Sequence, residues 1–350
     1  MKRIGLCVAS LLLFFSIAGC VQAGNSGESE SKQQLVVMDW GGATTAAHMA
    51  AMYQPFEQKY GVKITVVTPT DFGKLKAMVT SGNVSIDVAS VSSDFVIRGA
   101  NEGLLEKLDY NVINREGILE EYAQDYGVGA ELTSTVISYN TNQFPAGSHP
   151  KNWSEFWDTE KFPGPRALWK SPFHTLEIAL LADGVEPENL YPLDVDRAFQ
   201  SLDKLKKNVK VWWEAGAQPP QLLANGEVAL AAAWNGRVEK AIAEGAPEEL
   251  EYNQGIIQAN SWVVPKGGPN KDLAMKFIAF AVEPEQQAAF SSQINYAPAN
   301  TKALELLPDE VKKRLGQSAD KVGHQIILND QWWVDHYDQV NERFQQWLIK

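Results

Sequence analysis

Residues 127–140 read GVGAELTSTVISYN, and Thr133–Tyr139 (TSTVISY) within them form one long run rich in β-branched side chains. No helix separates this run from the strand before it, although strands and helices alternate up to that point. It therefore reads as a strand passing from one α/β lobe into another. Working upstream, Leu35–Met38 is a short apolar strand ending in Asp39-Trp40-Gly41-Gly42. A helix follows over about Thr45–Tyr60, with Pro55 predicting a break or kink, and Val62–Val67, Lys74–Ser81 and Ile86–Val91 continue as strand, helix and strand. That alternation implies βαβ units around a mainly parallel sheet. Working downstream, Asn152 and Asp194 are placed to cap helices, and Val209–Trp213 and Val228–Trp234 read as strands. Arg237–Glu244 is a helix, and Ser261–Pro265 is a second crossing. Helices then fall at about Asp272–Phe280, Pro284–Gln293, Pro308–Leu315 and Asp335–Leu348. Two crossings divide the chain into discontinuous lobes, residues 35–134 with 261–312 and residues 135–260 with 313–350. Ligands of such sheets sit outside the carboxyl ends of the strands, here in a cleft that closes as the lobes hinge.

The 350 residues are 45% hydrophobic and 21% charged, a globular composition with room for two domains. Thirty-one basic against 43 acidic side chains give a net charge of −12, which argues against a nucleic-acid partner. Lys2 and Arg3 precede an apolar stretch, Ile4–Ile17, that is too short to span a bilayer and reads as the core of a signal peptide. Its end, Ile17-Ala18-Gly19-Cys20, resembles the lipobox of bacterial lipoproteins, which makes residues 1–20 the signal and Cys20 the lipid-bearing first residue. The alternative is ordinary secretion with cleavage near Ala23. Residues 21–34 (VQAGNSGESESKQQ) then form a flexible tether to the outer face of a membrane or into the periplasm. Cys7 leaves with the signal, so the mature chain has no free thiol for redox or metal chemistry.

Enzyme signatures fail. The five histidines, His48, His149, His174, His324 and His336, include no pair spaced as in HExxH, and there is no GxSxG elbow. Gly127-Val128-Gly129 lacks the third glycine of a dinucleotide loop, and Lys266-Gly267-Gly268 lacks a phosphate-loop frame. Neither a metal nor a cofactor is expected. Scattered carboxylates that pair in space leave a hydrolase or transferase as the reading from another class.

Four stretches, in this order and spacing, carry a resemblance. They are Trp153-Ser154-Glu155-Phe156-Trp157 through Phe162-Pro163-Gly164, Gly226-Glu227-Val228 through Trp234-Asn235-Gly236, Ser261-Trp262-Val263-Val264-Pro265, and Tyr296-Ala297-Pro298-Ala299-Asn300. Together they resemble the extracellular solute-binding proteins of ABC importers, particularly the spermidine/putrescine-binding type, over nearly the whole mature chain. The resemblance implies a two-lobed, type II periplasmic-binding-protein fold that closes on a small organic solute and docks on a permease. A monomer without catalytic activity is expected. It also implies ligand contacts from Trp40, Gly41 and Gly42, from Asp71 and Phe72, from Ser92 to Asp94, from Lys170 to His174, from Trp234 and the following turn, from Gln258 to Asn260, and from Trp332 or Trp333.

The departures set the specificity. Polyamine receptors hold ammonium groups with carboxylates among aromatic rings. At two such acidic positions this chain has His174 and Asn260, and at a flanking aromatic it has Gln258. The Trp234-Asn235-Gly236 turn runs into Arg237, whose guanidinium at a helix start suits a bidentate carboxylate or phosphonate. Lys170 is a possible helper, and Asp71 or Asp94 a possible partner for a ligand amine. The favoured solute is therefore an amino acid or ω-amino carboxylate, and the alternative is a polyamine on the same fold. Each residue also has a plainer role: Arg237 pairing with Glu239 or Glu244, His174 as a structural hydrogen-bonder, Trp234 as core, Asn260 capping backbone, Asp94 starting a helix. Trp153, Phe156, Trp157 and Trp169 read as packing.

Overall fold

The computed structural model describes residues 33–145, 147–318 and 321–350. The expected signal peptide, Cys20 and nearly all of the tether lie outside these residues. Among them no helix is long and apolar enough to cross a membrane.

One mixed sheet runs through the molecule. Its strands are β1 (Gln34–Met38), β2 (Lys63–Val67), β3 (Val88–Ser92), β4 (Ala123–Gln124), β5 (Gly127–Asn140), β6 (Arg166–Trp169), β7 (Val209–Trp213), β8 (Leu230–Trp234), β9 (Glu248–Val263), β10 (Ala297–Pro298) and β11 (Ile326–Ile327). The main order is β2-β1-β3-β9-β5-β8-β6-β7. At each end the pairs β1/β2, β1/β3, β6/β7 and β6/β8 are parallel, as the βαβ alternation requires. In the middle, β9 and β5 run antiparallel to one another, β9 pairs antiparallel with β3, and β5 with β8.

These two central strands join the halves. All 14 residues of β5 are buried, which explains why its sequence is a continuous β-rich run without polar alternation. Apolar side chains on either side fall into different cores. One gathers Leu35, Val37, Phe56, Leu132, Ile257, Trp262 and Phe277, the other Ile137, Trp153, Phe156, Leu176, Ile256, Trp333 and Phe344. The architecture is a two-lobed α/β fold of type II. The second crossing is longer than the sequence suggests: Ser261–Val263 is only the end of the 16-residue β9. Its first half, Glu248–Gln254, is polar and partly exposed, so it carries no hydrophobic signal.

Local signals mostly hold. Asn152 accepts a hydrogen bond from the Glu155 amide and Asp194 from the Arg197 amide, as N-caps do. The first long helix runs from Gly42 to Tyr60, and one π turn at Met49–Tyr53 reroutes its hydrogen bonds just ahead of Pro55, which has no N–H to give. The last helix begins at Asp330, five residues earlier than expected, because Asn329 caps it by accepting from the Trp332 amide.

Candidate functional site

A cavity opens where strand ends and helix starts from both halves converge. Trp40 follows β1, Ser92 ends β3, Trp169 ends β6 and Trp234 ends β8, while Thr133 and Asn260 face it from the central strands. Thr44, Phe72, Phe173, Arg237, Gln258 and Tyr296 complete the lining. Counted as space open to the centre of a water molecule, it measures about 50 Å³. One water needs ~10–15 Å³ on that measure, so the room suits a small solute.

Six aromatic rings make the walls. Trp40 packs edge to face against Trp234 across the cleft at 6.1 Å and against Phe72 at 6.2 Å, and Trp234 meets Trp169 at 5.4 Å. The Trp40 indole N–H donates to Ser90 Oγ at 2.9 Å, which fixes its ring. Gly41 and Gly42 take φ of +79° and +57°, a turn that β-carbons resist, and a Cβ on Gly42 would lie 2.7 Å from Arg237 Nη1. These two glycines let the guanidinium approach the first half's backbone.

Arg237 is 4% exposed, in the first turn of the helix Asn235–Ala243. Its Nη2 donates to the Gly41 carbonyl at 3.0 Å, a bond across the cleft, and its guanidinium carbon lies 5.4 Å from the Trp234 ring centre. Its Nε has no partner, and no carboxylate stands within ion-pair distance among the described residues. The plainer pairings do not form: Glu239 accepts from Tyr252 and Asn295, and Glu244 pairs with Lys240. A buried guanidinium with donors to spare is a receptor for an anion.

Behind the opposite lining lies a buried charge network. Asp39 accepts from Tyr53 Oη at 2.8 Å and sits 3.1 Å from His48 Nδ1. Burial alone would raise Asp39 and lower His48, but their mutual attraction and hydrogen bonds reverse both effects. Asp39 falls below the usual carboxylate range, and the imidazole is pushed up to about 9. His48 Nε2 lies 3.7 Å from Glu131 Oε2, and Glu131 Oε1 accepts from Asn260 Nδ2 at 2.8 Å.

The expected site residues separate into two groups. Trp40, Phe72, Ser92, Trp234, Arg237 and Asn260 line the cavity, and Gly41 touches Arg237 through its carbonyl. Four others do not reach it. Asp71 is an exposed N-cap that accepts from the Lys74 amide. Asp94 is buried and paired with Arg98 at 3.1 Å, with burial raising its pKa against that pairing. His174 is buried beneath Trp169, 2.6 Å from Thr135 Oγ1, and burial pushes it down to about 4, so it is neutral. Trp333 donates to Glu177 at 2.6 Å and packs at a tilt against Phe173 with ring centres 4.3 Å apart, supporting that wall from behind. Lys170 pairs with Glu214 at the surface. Trp169, read from the sequence as packing, instead lines the cleft, while Trp153 and Phe156 are core. Phe173, within the expected Lys170 to His174 stretch, lines the cavity, whereas Thr44, Thr133 and Tyr296 were not singled out as contacts. Of these three only Tyr296 lay in a motif marked by the resemblance.

The bacterial extracellular solute-binding protein family matches residues 51–316. The chain belongs to that family. A gamma-aminobutyric acid-binding protein of Pseudomonas aeruginosa is 39% identical over 98% of this chain and 97% of its own length. Spermidine/putrescine-binding periplasmic protein 1 of Haemophilus influenzae is 27% identical over 81% of each. Among solved structures, the binding protein AgtB of A. tumefaciens R10, in complex with agropinic acid, is 36% identical with a TM-score of 0.86, covering 91% of this chain and 99% of its own. This solute-binding protein is thus the receptor of an ABC importer, working outside the cytoplasmic membrane with a permease partner.

Proposed function

We propose that this receptor captures a small ω-amino carboxylate of the γ-aminobutyrate class. One observation carries the reading: Arg237 is buried on the cavity wall with an unpartnered Nε and no protein carboxylate to neutralise it. The solute's carboxylate supplies the missing anion, and the Gly41 carbonyl holds the guanidinium square to it. The aromatic walls strip water from the solute's methylene chain and offer ring faces to its ammonium. The name of the Pseudomonas aeruginosa relative agrees. No carboxylate lines the cavity among the described residues, which disfavours a polyamine with two or more ammonium groups to satisfy.

The rest of the proposal concerns delivery. Cys20 carries lipid after cleavage, and residues 21–34 tether a monomeric receptor to the membrane. The lobes comprise residues 35–134 with 261–312 and 135–260 with 313–350, with the core changing over between Ile256 and Ile257. The receptor returns its solute unaltered, without turnover. Calorimetric titration of the mature protein against γ-aminobutyrate, other amino acids, a phosphonate and putrescine tests the reading. Tight binding of γ-aminobutyrate with putrescine inert supports it, and tight putrescine binding with carboxylates inert overturns it.

A further inference from the structure

Asn260 contributes an amide to the cavity wall, and an amide presents either a donor or an acceptor depending on how it is turned. Here its Nδ2 donates to Glu131 Oε1 at 2.8 Å. A carboxylate only accepts, so it selects this orientation. Asn260 Oδ1 receives no hydrogen bond from the described residues, yet it is not among the buried atoms lacking a partner. It is the atom left facing the cavity. Glu131 and Asn260 stand opposite one another on β5 and β9, so their side chains share one face of the strand pair.

The charge behind the amide points the same way. Glu131 and Asp39, both fully buried, flank a single His48 at 3.7 and 3.1 Å. Two carboxylates around one imidazolium leave one negative charge in excess, and no lysine or arginine pairs with either among the described residues. An ammonium in the cavity, hydrogen-bonded to Asn260 Oδ1, is the cation this arrangement lacks.

We propose that Glu131 is a positioning residue for specificity: it turns the Asn260 carbonyl toward the solute and, with its charge one amide away, selects a solute bearing an ammonium group. The proposal rests on the ω-amino carboxylate reading and explains how a cavity without a carboxylate on its wall takes an amine. The probes are γ-aminobutyrate and butyrate, which share the carboxylate and differ in the amine. Glu131→Gln accepts or donates equally well, so it frees the Asn260 amide to turn and removes the charge. The expected result is a fall of at least tenfold in the preference for γ-aminobutyrate over butyrate, with butyrate affinity changed less than about threefold. The exchange Glu131→Gln with Asn260→Asp restores donor and acceptor across the same strand pair and returns the carboxylate, so the preference recovers. It also carries the test should the single variant fail to fold. An unchanged preference in Glu131→Gln overturns the proposal, as does a parallel loss of both ligands or an exchange variant without recovery. Wild-type protein that binds butyrate as well as γ-aminobutyrate overturns this proposal alone. Binding neither overturns the solute class as well.

Discussion

Replacing Arg237 by Met removes the charge while keeping most of the side chain's bulk. In the native cleft the guanidinium is 4% exposed, with a carbonyl bond at 3.0 Å, the Tyr296 hydroxyl and a ring face at 5.4 Å beside it but no carboxylate, so its charge is left for a solute to neutralise. A hydrogen bond to a charged group contributes ~1.5–3 kcal/mol, and removing one partner of a buried charged pair costs ~2–5 kcal/mol. A loss of ~2–4 kcal/mol in γ-aminobutyrate binding follows, a rise in Kd of roughly 30- to 1000-fold. The solute-free protein responds oppositely. Burying an unneutralised cation costs several kcal/mol, so the variant without solute should melt no lower than wild type. Calorimetric titration reads the first effect and thermal melting with and without solute the second. A Kd within about threefold of wild type, or a melting temperature that drops without solute while binding is kept, would refute the reasoning.

Other predictions are narrower. Gly42→Ala puts a methyl at φ +57° and 2.7 Å from Arg237 Nη1, so it should displace the guanidinium and weaken γ-aminobutyrate at least tenfold by titration. Glu177 is buried, and desolvation raises its pKa from 4.5 to about 7 against bonds from Tyr191 and Trp333. The folded form holds its proton longer than the unfolded one. The stability this confers is full below pH 4.5 and is lost as pH rises toward 7, amounting to about 3 kcal/mol. Glu177→Gln should therefore raise the melting temperature at pH 8 and leave it nearly unchanged at pH 4. Trp153→Ala empties a fully buried site whose indole also donates to the Gln254 carbonyl, at a cost of ~3–5 kcal/mol in denaturant unfolding. Small-angle scattering should show a smaller radius of gyration on saturation with solute, because a solute held by both halves adds to the Arg237–Gly41 and Trp40–Trp234 contacts and shifts the population toward the shut cleft.

How much of this was legible varies by element. β5 was readable because it is buried on both faces, and its Thr133–Tyr139 run is accordingly rich in β-branched residues. Most of β9 was not, since polar residues such as Glu249, Glu251 and Asn253 lie where the strand is partly exposed. In the site, Trp40, Trp234 and Arg237 were found because rings and a lone cation at strand-to-helix turns have few other uses. Trp169 was missed although it ends β6 just as Trp234 ends β8; that parallel was the available signal. Asp71, Asp94 and His174 were overread, since a cap, an ion pair and a buried neutral imidazole leave no trace in residue type that separates them from ligand contacts. Glu131 did offer a clue: it is the single acidic residue within GVGAELTSTVISYN, and its partners His48 and Asn260 are brought to it only by the fold.

The most direct measurement is a crystal structure of the mature receptor with γ-aminobutyrate. It should place both carboxylate oxygens within hydrogen-bond distance of the Arg237 guanidinium, with the methylenes in the cavity against the aromatic lining that includes Trp40 and Trp234. A solute whose carboxylate lies away from Arg237, or one bound outside this cavity, would contradict the account.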